Sequence, residues 1–149
     1  MAYSTKLSDA LHLLVFVATG QGGDLSSDAI AKSLACNPSS VRQLMSKLRR
    51  GGLLSSVAGH ARPTLARKPC DISMLDVYRA VEGDKPLLHL DTHTNPACGV
   101  GVNVQFVIGE RFAEVQSAAE HAMAATSLES IIEQYLSRVS ALSVRATGR

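Results

Sequence analysis

The sequence predicts a mostly α fold with one short two-stranded β element and a long helix near its end. Three observations predict it. Apolar residues recur at helical spacing along most of the 149-residue chain. Residues 53–66 break that period and read as two short strands around a turn. Only 4% of residues are aromatic and Trp is absent, so the core must be mostly Leu, Val, Ile and Ala, which favours packed helices.

The first helix spans Lys6 to Thr19, with Leu7, Ala10, Leu11, Leu14, Val15 and Ala18 on one face. Gly20, Gly22 and Gly23 end it. Ser26 or Ser27 caps a short second helix that turns Ile30, Ala31 and Leu34 inward. Asn37 caps a third helix, and Pro38 takes its first position, where a missing N–H costs nothing. That helix runs from Pro38 to Arg50 with Val41, Leu44, Met45 and Leu48 as its buried stripe. Gly51 and Gly52 stop it. Leu53–Val57 reads as a strand, Ala58–Pro63 as a turn and Thr64–Ala66 as a return strand. Ser73 caps a fourth helix, in which Met74, Leu75, Val77, Tyr78 and Val81 are apolar and which Gly83 ends.

Residues 84–101 read as a linker. A long helix is expected from about Val102 to Ala125. Its Ile108, Phe112, Val115, Ala119 and Ala122 recur in steps of four and three, the seam of a helix that meets a partner along its length. Packing against the chain's own domain is the alternative. A last helix, about Ser127 to Leu142, is expected to bury Leu128, Ile131, Ile132, Leu136 and Val139. The organisation is thus residues 1–83, a linker 84–101 and a C-terminal unit 102–149.

Two short helices joined by a tight turn, the second polar and basic outside, describe a helix-turn-helix. A β-hairpin directly after it is the wing of a winged helix. The blander reading is a helical hairpin with a solvated charged face. Charge distribution weighs against that. Net charge is only +2, but eight basic residues and no acidic one lie between Ala29 and Cys70. From Pro86 onward four basic residues face six acidic ones. One segment is built to meet phosphate and the other is not. Arg49, Arg50, Arg67 and Lys68 suit phosphate contacts, which give salt-dependent affinity. Arg42 and Gln43, near the start of the third helix, suit bidentate contacts to guanine and adenine. The expected partner is double-stranded DNA. A winged-helix protein–protein module is the alternative of another class.

Catalysis is not expected. No Gly-rich phosphate loop follows a strand, no nucleophile elbow appears, and no carboxylates pair; Asp71 and Asp76 belong to a capping region. The apolar run Leu13–Ala18 is too short to span a membrane. Cys36, Cys70 and Cys98 form no disulfide framework, which fits a reducing cytoplasm.

The segment from Asn37 through Arg42, Gln43 and Lys47 to Leu54 resembles the Rrf2 family of regulators, that of IscR, NsrR and CymR. So do Leu65-Ala66-Arg67 and the run from Ile72 through Asp76-Val77-Tyr78-Arg79-Ala80-Val81-Glu82 to Gly83. The resemblance implies a homodimer crossed at the long helix, binding a palindromic operator, usually to repress. It implies Ser39, Ser40, Arg42, Gln43 and Lys47 in the major groove and Arg62 at the minor groove. Two departures stand out. The wing reads Ala58-Gly59-His60-Ala61-Arg62-Pro63 where the family is usually glycine-rich. The linker keeps one cysteine, Cys98, where cluster-binding members carry three, so no iron–sulfur cofactor is expected.

Three controlling signals are open. Cys36 and Cys98 each precede a helix, and helix N-termini and nearby cations stabilise the reactive thiolate. In the crossed dimer that the resemblance implies, an intersubunit Cys36–Cys98 disulfide can form. Alternatively His89, His93 and Cys98 bind a metal. In the third reading a small molecule binds between linker and winged helix. Cys70 is expected to be structural or inert.

Overall fold

The computed structural model describes residues 3–20, 22–56 and 62–147. Its elements in chain order are α1 (Lys6–Thr19), α2 (Ser27–Leu34), α3 (Pro38–Arg50), β1 (Leu54–Ser56), β2 (Pro63–Leu65), α4 (Met74–Glu82), α5 (Gly99–Ala124) and α6 (Leu128–Thr147). A 3-10 turn, Pro69–Asp71, joins β2 to α4. The fold is the expected mostly α arrangement with a two-stranded wing. No described helix is long and apolar enough to cross a membrane.

Helix α1 is the centre of the core and touches α2, α3, α4, α6 and β2. It buries Ala10, Leu13, Leu14 and Val17. The expected face included Leu7, Leu11 and Val15 in place of Leu13 and Val17; those three lie at the border of the core. Because neighbours cover α1 from several sides, its apolar arc is wider than a single stripe.

Caps set the bounds of the next helices. The Ser26 hydroxyl accepts from the Ala29 N–H at 3.2 Å and starts α2. A three-residue turn leads to α3, with Ala35 in the left-handed region at φ 51°. At the far end of α3, a Cβ on Gly51 would stand 2.8 Å from the Cβ of Ala80. Glycine there lets α3 close down on α4, and Gly52 then turns the chain at φ +71°. In α4, Ser73 and Asp76 form a reciprocal capping box, each side chain accepting from the other's backbone N–H.

Strands β1 and β2 pair antiparallel, Leu54 with Leu65, Ser55 with Thr64 and Ser56 with Pro63. Pro63, expected in the turn, therefore opens the second strand, a position where proline is tolerated. Residues 57–61, expected as the end of the first strand and most of the turn, lie outside the described residues.

Helix α5 starts three residues before the expected Val102. The Cys98 sulfur accepts from the Gly101 N–H at 3.4 Å, and the Cys98 carbonyl accepts from Val102 at 3.1 Å. This cap draws Gly99 and Gly101 into the helix, although glycines read as linker. One contact ties α4 to the linker's start, and two more tie the linker and α4 to α5. The Tyr78 hydroxyl donates to the Lys85 carbonyl at 2.6 Å, the Leu87 N–H donates to Gln116 Oε1 at 2.9 Å, and Arg79 pairs with Glu120 at 3.5 Å.

The chain returns to the winged helix at the end of α5. Met74 N–H donates to the Thr126 carbonyl and Leu128 N–H to the Ile72 carbonyl, each at 2.8 Å. Leu128 is fully buried in the core cluster, and α6 packs on α1 and the 3-10 turn. The core thus draws on both sides of the boundaries expected at residues 83 and 101. Beyond this start α6 leaves the core. Ile131 and Ile132 are half-buried, whereas Leu136 and Val139, expected inside, are exposed in the single chain. Residues 143–147 contain no glycine or proline, and the helix continues to Thr147.

Because Leu128 is the one residue of α6 fully buried in the core among the described residues, Leu128→Ala is expected to lower unfolding free energy by about 2–5 kcal/mol in urea denaturation. A loss below about 1 kcal/mol would show that the α6 start is peripheral.

Candidate nucleic-acid interface

The interface is built on α3. Asn37 Oδ1 accepts from the N–H groups of Ser39 and Ser40, at 2.7 and 3.3 Å, and fixes the start of the helix. Val41, Leu44, Met45 and Leu48 are buried on the inner side. With that stripe anchored, Ser39, Arg42, Gln43, Ser46, Arg49 and Arg50 are exposed. Helix α3 contains no acidic residue. Among the described residues, none of these six side chains is engaged in a hydrogen bond or ion pair. The outer face is therefore cationic and its donors are available. Ser40 lies at one flank, beside Lys6, Asp9, Gln43, Leu44 and Lys47.

Lys47, expected in the major groove, has a partner within the chain. It sits half-buried on the flank of α3, and its ammonium donates to the Val81 carbonyl at 3.3 Å. Desolvation there, with Lys6 close by and Lys85 adding to it, holds its pKa below the ordinary lysine value; Glu82 opposes the shift.

Arg62 is exposed beside β2, near enough to Asp24 to help lower that carboxyl's pKa, which falls mainly through hydrogen bonds from Ser26. Ser55 and Thr64 hydroxyls bond across the strands at 2.9 Å. Arg67, expected to contact phosphate, is engaged within the chain. Its guanidinium donates to the Gly52 and Asp71 carbonyls, both at 3.4 Å, and stands 3.8 Å from Asp76. It braces the wing's base against the α4 cap. Lys68 is exposed next to it.

All three cysteines are free and exposed. Cys36 precedes the α3 cap, Cys70 lies in the 3-10 turn and Cys98 caps α5. They occupy three separate elements. The expected alternative of a His89, His93 and Cys98 metal site is not assembled. His93 Nδ1 lies 3.3 Å from Asp91, and no group of three or more His, Cys, Asp or Glu among the described residues can hold a metal ion.

On α5, the expected seam is only partly open. Ile108, Phe112 and Ala119 are half-buried, and Val115 and Ala122 are exposed. Val100, Val104 and Val107, on the same side as Val115 and Ala122, extend a wider uncovered apolar ridge. Tyr135, Leu136, Val139 and Leu142 make a second one on α6.

The family model described as "Rrf2: Iron-dependent Transcriptional regulator" matches residues 3–134. This chain belongs to the Rrf2 family. A Bacillus subtilis protein named as an HTH-type transcriptional regulator, YwnA, is 36% identical over 129 residues, covering 87% of this chain and 96% of the relative. A crystal structure titled as a DNA-binding protein superposes with a TM-score of 0.70 at 35% identity, covering 85% of this chain and 98% of that one. Staphylococcus aureus CymR superposes with a TM-score of 0.61 at 27% identity, covering 87% and 97%. The chain is a transcriptional regulator of a DNA-binding family and not an enzyme. Among the described residues no donor set gathers that would fit the iron of the family description: the linker's one thiol is Cys98, and its histidines are not grouped around it.

Arg67→Ala is expected to cost about 1 kcal/mol of stability by removing its hydrogen bonds to the two carbonyls, and Lys68→Ala close to nothing. Thermal denaturation of the two variants checks this; equal effects would remove Arg67 from its bracing role.

Proposed function

We propose that this Rrf2-family regulator acts as a homodimer on a palindromic operator, as a repressor, under thiol control. The observation that carries the DNA reading is the outer face of α3, with its exposed, unengaged polar and cationic side chains and no carboxylate. Arg42 and Gln43 read bases, Ser39 and Ser40 position the helix start, and Arg49, Arg50 and Lys68 meet phosphate. Arg62 reaches the minor groove. The apolar ridges of α5 and α6 support the dimer, since a large uncovered apolar surface marks an association site. Ile108, Phe112, Val115, Ala119 and Ala122 contribute to that interface together with the valines beside them. Two-fold symmetry of the dimer then matches a palindrome.

For control, the Cys98 sulfur is exposed at the start of the helix that would join the subunits. Peroxide oxidises its thiolate to a sulfenic acid, with hydroxide leaving. Cys36 of the partner subunit then attacks that sulfur, water leaves, and a disulfide forms. The pairing requires the two Cα atoms to come within about 7 Å in the dimer. No cofactor is needed for this switch.

A second reading of the signal rests on an apolar crevice of about 560 Å³ between linker and α5, lined by Leu90, Phe106 and Ala113 among others. A small apolar effector would fit it.

Arg42→Ala is expected to relax sequence preference, at about 1–3 kcal/mol of discrimination, while Arg50→Ala weakens binding to all sequences alike. Fluorescence anisotropy on operator and scrambled duplexes separates the two; identical effects would overturn these roles. Under peroxide, a dimer band on non-reducing gels is expected to vanish with either Cys36→Ser or Cys98→Ser. An oxidant response of DNA binding that survives Cys98→Ser would remove the switch and favour the effector crevice.

A further inference from the structure

A second basic feature lies behind the outer face of α3. An open crevice of about 440 Å³ separates the last turns of α3 and α4 from the start of α1. Lys6, Lys47, Arg50, Arg79 and Lys85 line it, against one carboxylate, Glu82. One of these charges is matched elsewhere: Arg79 pairs with Glu120. Glu82, which also accepts from the Ser4 hydroxyl, keeps its charge and offsets one of the four remaining cations. Among the described residues, Lys6, Lys47, Arg50 and Lys85 form no ion pair.

The helix dipole explains part of this cluster. Cations are favourable at helix C-termini, which suits Lys47 and Arg50 in the last turn of α3. It does not explain Lys6. Lys6 is the first residue of α1, where the dipole disfavours a cation, and it stands beside Lys47. Lys85 adds a further positive charge from the linker. Like charges gathered in a concave, partly desolvated place repel one another, and an anion relieves that repulsion. Lys47 has only one of its three N–H donors directed at Val81, so two remain for a ligand.

We propose that this crevice binds a phosphate group, held by Lys6, Lys47, Arg50 and Lys85. The phosphate comes either from the DNA backbone next to α3 or from a free phosphate-bearing molecule. Arg50 belongs both to the outer face of α3 and to the crevice, so occupancy bears directly on the DNA-facing side. The site does not depend on the DNA reading, because a free anion would occupy it in the absence of DNA.

The test uses full-length protein, wild type and the double variant Lys47→Gln/Lys85→Gln, with Lys6→Gln as a second variant should the first fail to fold. Two quantities are read: the Tm in inorganic pyrophosphate against chloride at matched ionic strength, and the slope of log DNA affinity against log salt. With a backbone phosphate, the slope falls by about 0.9 for each phosphate that the variant no longer neutralises, and sequence preference is retained. With a free phosphate source, pyrophosphate raises the wild-type Tm by several degrees, the variant loses that shift, and the salt slope is unchanged. Equal slopes together with no pyrophosphate effect on the wild type would overturn the site. A chain that shows no salt-dependent DNA binding would defeat the DNA reading, and the pyrophosphate measurement alone would still decide the crevice.

Discussion

The fold turns on one backbone junction, the pair of hydrogen bonds that ties residues 72–74 to residues 126–128. The chain leaves the winged helix at Gly83 and is brought back to it by this bridge, with Leu128 driven into the core as the fixing point. Everything between is constrained by it. The 26 residues of α5 span about 39 Å at 1.5 Å per residue, and both ends of the excursion are held. The helix must therefore project as a strut, and a strut alone cannot cover its own sides. The exposed valines of α5 and the apolar side of α6 follow from this geometry.

The strut is joined to the winged helix through short, specific contacts. Tyr78, Arg79 and Gly83 at the end of α4 meet Lys85, Gln116 and Glu120. Helix α4 in turn lies tight on the end of α3 at Gly51 and Ala80. A shift of α5 thus has a continuous packed route to α3, the proposed recognition helix. The proposed thiol sits at one end of that route, as the cap of α5, and the phosphate crevice lies at the other. Both are places where a modest chemical change acts on a helix end and not on a buried core.

Much of this was legible in the sequence where the determining interactions are local. Asn37-Pro38 and Ser73 fix helix starts through bonds spanning two or three residues, and the bounds of α3 and α4 follow from them. The Ser73–Asp76 spacing is itself a readable capping box. The polar outer face of α3 followed from helical period alone. What the sequence could not show depends on distant partners. Nothing local distinguishes Arg67, which braces carbonyls 15 and 4 residues away, from Lys68, which is exposed. Lys47 turns toward Val81, 34 residues on, and its meeting with Lys6 is a product of packing. The start of α5 was obscured by Gly99 and Gly101, because a cysteine cap has no strong local signature. Which side of α5 stays open is also set by packing, since the linker and α4 cover part of one side.

In the proposed dimer, two copies of α3, held apart by the α5 strut, read one operator together. Hydroxyl-radical footprinting on a duplex selected from random DNA tests it most directly. Two symmetric protected patches are expected, their centres separated by about one helical turn or a multiple of it. A single unrepeated patch, or protection indifferent to sequence, would contradict the account.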